Sequence, residues 1–216
     1  MKKSKMTKPH PVLLIAGCQK YRDYLIAAIQ RLSKGPWTTI GIVGGGAKTV
    51  FDPSSHILTI AIADTYEALP SKLHAAYKWI YENFPGIPGI FKTDEDILFD
   101  MPALAAAIET NQDLAYWGVT YSMCREAPVN AQRIALRFDD KSRIATHQTA
   151  IYCFGAGYYI SAAALPVICE AAADYAASVL EDVCTGFVLN RARIFPKKVP
   201  VAFREVPRGP QLLALQ

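Results

Sequence analysis

Ile90-Phe91-Lys92-Thr93-Asp94-Glu95-Asp96 joins a short, hydrophobic, β-prone run directly to three consecutive carboxylates. The turn residues Pro85-Gly86-Ile87-Pro88-Gly89 precede it, so a strand is expected from Ile90 to Thr93. A strand that runs straight into acidic residues puts them at its carboxyl end, where open α/β sheets bind ligands. Carboxylates spaced D-x-D in an extended segment point to the same side. Two hard oxygen ligands placed so, Asp94 and Asp96, suit Mn²⁺ or Mg²⁺ carrying a diphosphate. A solvated acidic turn is the plainer use of the same residues.

The chain on either side supports an α/β sheet. Val12 to Ala16 is a fully apolar run, and Gly17 ends it. Tyr24 to Leu32 has helical spacing. Thr38 to Val43 and Ile57 to Ala63 are expected as strands, with Gly44-Gly45-Gly46 as a loop. A helix is expected from Leu69 to Asn83, with Leu69, Leu73, Ala76 and Ile80 on one face. Another is expected from Met101 to Glu109. Strands follow at Leu114–Thr120 and Ile134–Phe138, and Asp139 to Ser142 suits a hairpin turn. Ile151 to Phe154 leads into Gly155-Ala156-Gly157, read as a flexible approach point. An alanine-rich helix is expected from Ala162 to Ala177, and a shorter one from Glu181-Asp182. Strands alternate with helices early and crowd together later. That pattern predicts a mostly parallel sheet with antiparallel additions, flanked by helices.

Length and composition set the outer limits. The 216 residues, 51% hydrophobic and 19% charged, suffice for one α/β domain with a full core. We expect a flexible basic tail over residues 1–10, a single domain over 11–205 and a C-terminal tail over 206–216. The formal charge of +4 is concentrated in the opening lysines and predicts no nucleic-acid partner. No apolar stretch approaches the ~20 residues of a membrane span. The apolar run at Val12 is too short for a signal sequence, so a cytoplasmic location is expected. Five cysteines without a C-x-x-C read as buried thiols.

Other residues add chemistry. Glu181-Asp182 opens a helical pattern, so Asp182 could cap that helix or act as a general base toward a sugar hydroxyl. Gly44-Gly45-Gly46 lacks the third glycine of a dinucleotide fingerprint, and Lys48 begins no phosphate loop. The four histidines form no metal-spaced pair; His74 reads as structural or surface, and His147 is the one near a candidate site. No G-x-S-x-G elbow occurs.

Four pieces in order resemble the β-1,3-glycosyltransferase family of galactosyl- and N-acetylglucosaminyltransferases and Fringe enzymes. Asp64-Thr65-Tyr66-Glu67-Ala68-Leu69, with Lys72 and Trp79 beyond, is similar to D-x-Y-x-N-L-x-x-K. Phe91 to Phe99 resembles K-x-D-D-D-V-F-V. Tyr152 to Ser161 resembles Y-C-S-G-G-G-Y-V-L-S, and Glu181 to Gly186 resembles E-D-V-Y-V-G. The departures are Glu95 for the middle aspartate, Ala156 for the middle glycine, and no histidine after His147 to complete a metal shell.

The resemblance implies a GT-A fold, a UDP-sugar donor, a divalent metal, a glycan or glycosylated acceptor, and inversion at the anomeric carbon. Asp96 would be the main metal ligand, with Asp94 beside it, and Asp182 the base. The donor would meet Gly17, Cys18, Arg22, Asp64, Lys72, Asp94 and Glu95. The sugar and acceptor would meet Gly155, Ala156, Gly157, Tyr158, Glu181 and Trp117. Three rivals remain open: a retaining transferase, an idle binding module on the same fold, and a nucleotidyltransferase. The last is disfavoured by the glycine-poor Gly17-Cys18-Gln19-Lys20 after the first strand.

Overall fold

A computed structural model of the chain describes residues 9–122 and 150–213. In order they form β1 (Val12–Ala16), α1 (Arg22–Leu32), β2 (Thr38–Val43), β3 (Val50–Asp52), β4 (Ile57–Thr59), α2 (Leu69–Asn83), β5 (Gly89–Asp94), β6 (Ile97–Phe99), α3 (Met101–Asn111), β7 (Tyr116–Ser122), β8 (Ile151–Ser161), α4 (Leu165–Cys169), α5 (Ala172–Ala177), α6 (Glu181–Arg191), β9 (Lys197–Lys198), β10 (Phe203–Glu205) and α7 (Pro210–Leu213). The main sheet has the order β3-β4-β2-β1-β5-β8-β7-β9, and β10 pairs separately with β6. β4, β2, β1 and β5 run parallel, while β3 and β8 are antiparallel to their neighbours. The expected mixed, mostly parallel sheet flanked by helices is therefore present. Strand Ile134–Phe138, the turn after it, Cys124 and His147 lie outside the described residues.

Alternation along each central strand divides the core. Val12, Leu14 and Ala16 of β1 pack with α2, α4, α5 and α6, whereas Leu13 and Ile15 pack with α1 and α3. Ile90 and Phe91 of β5 split in the same way. Both faces being covered, the strands read as unbroken apolar runs. Each such fully buried leucine or isoleucine contributes about 1.5–3 kcal/mol relative to exposure.

The chain leaves β1 toward β2 on one side and returns to β5 on the other. β1 and β5 therefore flank a topological switch point, with Ala16 level with Asp94 at their carboxyl ends.

Four expectations need correction. The strand from Ile57 stops at Thr59, because Gly46 and Gly45 of the glycine loop donate N–H bonds to the carbonyls of Ile60 and Ile62. The alanine-rich helix is broken into α4 and α5. His74 Nε2 donates to the Cys169 carbonyl at 3.2 Å, taking an acceptor that a continuing helix would use. Gly155 to Gly157 are not a flexible loop but part of β8. There β8 pairs with β7 at Cys153 and again at Tyr158, so Phe154 to Gly157 bulge away from β7. The C-terminal segment, expected as a tail from residue 206, folds back as far as Leu213. Val206 N–H donates to the Asp96 carbonyl at 2.9 Å, and Leu212 is fully buried.

Among the described residues no helix is long and apolar enough to cross a membrane. Cys153 and Cys184 are buried, Cys18 and Cys169 half-buried, and all four are free thiols.

Candidate active site

A cleft of about 720 Å³ opens at the carboxyl ends of β1 and β5. Asp94, Glu95, Asp96, Gly155, Ala156, Glu181 and Asp182 all border it, as do Gly17, Cys18, Asp64 and Lys72. Residues from five separate stretches of chain thus meet at the switch point.

Asp94 ends β5, but Glu95 and Asp96 form a tight turn into β6 rather than continuing the strand. Asp94 and Asp96 therefore reach the cleft across a turn and not by strand alternation. Glu95 is pulled inward, its side chain only 4% exposed, and meets Arg208 from the returning C-terminal segment. Arg208 Nε donates to Glu95 Oε1 at 2.8 Å, and Nη2 bridges Glu95 at 2.7 Å and Asp96 Oδ2 at 3.1 Å. Burial pushes the Glu95 carboxyl up to about 7, against the pull of Arg208. Burial also raises Asp96, with the nearby Asp94 charge adding to it.

Lys92 is the buried cation under this floor. It donates to the Gly155 carbonyl at 2.7 Å, to Asp94 at 2.9 Å and to Glu181 Oε1. Burial opposes its charge, but Asp94 and Glu181 outweigh that and hold the ammonium well above the ordinary lysine range. Glu181 Oε2 accepts from the Tyr158 hydroxyl at 2.7 Å, and Tyr158 and Tyr77 share a bond of 2.6 Å. Burial lifts Glu181 to about 7 despite Lys92. Both Glu181 oxygens are thus engaged within the protein, and the residue, expected as a sugar contact, borders the cleft.

Asp182 lies in the first turn of α6, where the helix dipole favours a negative charge. The N-cap is Leu180, so Asp182 is not the cap. Its Oδ2 accepts from Gly155 N–H at 3.0 Å and its Oδ1 from Val183 N–H at 2.8 Å. Burial raises its pKa, with Lys92 and the two amides pulling the other way. A Cβ at Gly155 would fit tightly, 3.1 Å from Glu181 and 3.3 Å from Asp182.

Asp64 gathers the other end of the cleft. It accepts from Gly44 N–H at 2.8 Å, from Gln19 N–H and from Lys72 Nζ at 2.8 Å. Lys72, almost wholly buried, also donates to the Gly17 carbonyl at 2.7 Å. Burial raises the Asp64 pKa, but Lys72 and the two amides more than reverse this and hold it below the usual carboxylate range. Asp64 and Lys72 are therefore a clasp joining the loops after β1 and β2 to α2.

Four expected site residues fall elsewhere. Arg22 does not border the cleft and turns to Gln19 Oε1 at 3.4 Å; Lys20 and Tyr21 take that edge. Trp117 is fully buried, stacked on Tyr159 at 5.3 Å and packed on Phe91. Tyr158 is fully buried under Lys92. Gly157 faces Phe91 and Phe99 in the core. Sequence reasoning missed Lys20, Tyr21, Tyr66, Tyr152, Phe154 and Arg208, all of which border the cleft. The one sequence signal for Arg208 was Glu95 itself, a carboxylate one methylene longer than the family's aspartate.

Asp94 and Asp96 offer the cleft hard oxygen donors of the kind a divalent cation takes, and each is also paired with a cation of the protein, Lys92 and Arg208. No group of three metal-binding side chains occurs among the described residues.

Comparison with known proteins follows the same line. The galactosyltransferase family matches residues 54–200. A 4-diphosphocytidyl-2C-methyl-D-erythritol synthase aligns with TM-score 0.54 and 12% identity over 95% of each chain. The synthase of the same name from Anaerococcus prevotii aligns with TM-score 0.53 and 8% identity, over 96% of this chain and 94% of that one. A galactosyltransferase in complex with donor and acceptor sugar analogues aligns with TM-score 0.43 and 12% identity, over 83% of this chain and 69% of that one. No curated protein sequence matches significantly. At these identities the two synthases speak for the fold alone, and that fold is the expected GT-A type. The family match covers more than half of the chain, including the acidic turn, β8 and the Glu181-Asp182 helix start, so the chain belongs to the galactosyltransferase family of hexosyltransferases.

Proposed function

We propose that the chain is an inverting, metal-dependent transferase that moves a hexose from a UDP-sugar to a hydroxyl of a glycan or glycosylated acceptor. The observation that carries this reading is the convergence of Asp94, Asp96 and Asp182 on one cleft at the switch point. The loops after β1 and β2, with Gly17 and Cys18, offer the nucleotide end of that cleft. Asp94 and Asp96 would hold Mn²⁺ or Mg²⁺ there. When bound, the ion neutralises charge on the departing diphosphate.

Asp182 takes the proton of the acceptor hydroxyl as that oxygen bonds to the anomeric carbon. The bond from that carbon to the phosphate oxygen breaks, and its electron pair leaves with UDP. Gly155 N–H holds the Asp182 carboxylate in place. Lys92 fixes Asp94 and Glu181 beneath the sugar.

A thermal-shift screen of UDP-sugars with and without Mn²⁺, coupled to UDP release, tests the reading. Ligand and metal together are expected to raise Tm, by mass action on the folded state. Asp96→Ala should lose the Mn²⁺-dependent part of that shift. An equal UDP shift in the variant with and without Mn²⁺, matching that of wild type with Mn²⁺, would refute the metal assignment.

A further inference from the structure

Arg208 borders the cleft beside Asp96. The C-terminal strap is fixed on both sides of it. β10 pairs with β6, with Glu205 opposite Ile97, and Leu212 is buried beyond. The guanidinium lies 4.6 Å above the Tyr21 ring and is held edge-on by Glu95 and Asp96. Among the described residues its Nη1 has no partner, and the side chain is 36% exposed along the cleft.

The charge around it makes this placement informative. Carboxylates crowd the floor of the cleft, and two of the nearby cations are already committed. Lys72 is spent on Asp64 and the Gly17 carbonyl, and Lys92 is buried beneath Asp94 and Glu181. Among the described residues Lys20 and Arg208 also border the cleft, and Arg208, although paired with Glu95 and Asp96 through Nε and Nη2, keeps Nη1 toward it. Lys20 lies over the Tyr21 ring at 5.2 Å, whereas Arg208 is oriented by the buried Glu95 carboxylate. A planar guanidinium with unused N–H groups suits phosphate oxygens.

We propose that Arg208 is a diphosphate ligand of the donor site, held ready by Glu95 and supplied by the C-terminal strap. This rests on the reading of the cleft as a nucleotide-sugar site. It gives Glu95 a purpose: the longer side chain reaches a guanidinium that an aspartate would miss. It also places positive charge beside Asp96 that does not depend on a bound ion.

The test is binding of UDP and of uridine to wild type, Arg208→Gln and Arg208→Lys, by titration calorimetry and ligand-observed NMR in buffer containing EDTA. Arg208→Gln is expected to weaken UDP about tenfold or more and to leave uridine unchanged, with Arg208→Lys in between. Unchanged uridine binding also shows that the variant is folded. Unaltered UDP affinity, or UDP and uridine weakened alike, would reduce Arg208 to a structural partner of Glu95. Wild type that binds no UDP with either EDTA or Mn²⁺ would overturn the donor reading itself, and this inference with it.

Discussion

Replacing Asp182 with Asn is expected to cut sugar transfer by roughly 10²-fold or more, with UDP-sugar affinity close to that of wild type. Asn keeps the length of the side chain and one carbonyl oxygen. That oxygen can still accept either the Gly155 or the Val183 N–H, but not both, and the other donor loses its acceptor. A stability loss of about 1 kcal/mol is expected from that loss, too small to explain the rate. What Asn cannot do is take a proton. The pH profile carries a second signature. Burial raises the Asp182 pKa, so the carboxylate needed as a base is lost at a higher pH than an ordinary aspartate would be. Transfer by wild type should fall as pH drops through that raised value, and the variant should lack this limb. Steady-state kinetics across pH, with a separate affinity measurement, check both. Transfer within a few-fold of wild type would discard Asp182 as the base and favour a retaining or inactive protein.

Asp64→Ala is expected to cost about 3–5 kcal/mol of folding stability and to lower Tm on the order of 10 °C. The substitution leaves Lys72, whose side chain is only 2% exposed, without its counter-charge though still bonded to the Gly17 carbonyl, and frees the Gln19 and Gly44 amides. Lys72→Met should cost less, because Asp64 would keep both amide donors. The sign of the pH dependence follows from the lowered pKa of Asp64. Its contribution is present above the unfolded-state value of about 3.9 and is lost as pH falls through the folded value. The gap between wild type and Asp64→Ala should therefore be constant near neutrality and close in acid. Urea unfolding at several pH values measures it. A variant as stable as wild type that binds UDP less tightly would make Asp64 a donor contact and not a clasp.

The parts of the site carried by local pattern could be read in advance. The carboxylates at the end of β5 were legible because a strand buried on both faces is an apolar run whose end is marked where polarity begins; the turn at Glu95 and Asp96, where an extended D-x-D was expected, was not. Glu181-Asp182 was legible because acids at the start of a helical pattern are locally distinct. What escaped was set by distant partners. Arg208 meets Glu95 across 113 residues, and nothing in the proline-rich segment around it marks a ligand. Trp117 and Tyr158 were expected at the sugar, but strand alternation sends them to opposite core layers. A sheet covered on both faces has no polar side to reveal this. Asp64 and Lys72, expected as donor contacts, do border the cleft, but their bond to one another joins distant segments and no local pattern announces it. The break after α4 depends on His74, whose bond to Cys169 competes with strong alanine helix propensity.

The most direct test of the central claim is proton NMR of the wild-type protein incubated with α-linked UDP-hexoses, Mn²⁺ and a panel of glycan acceptors. Release of UDP together with a new β-configured anomeric proton is the predicted result. An α-configured product, or no transfer from any UDP-hexose by folded protein, would contradict the account.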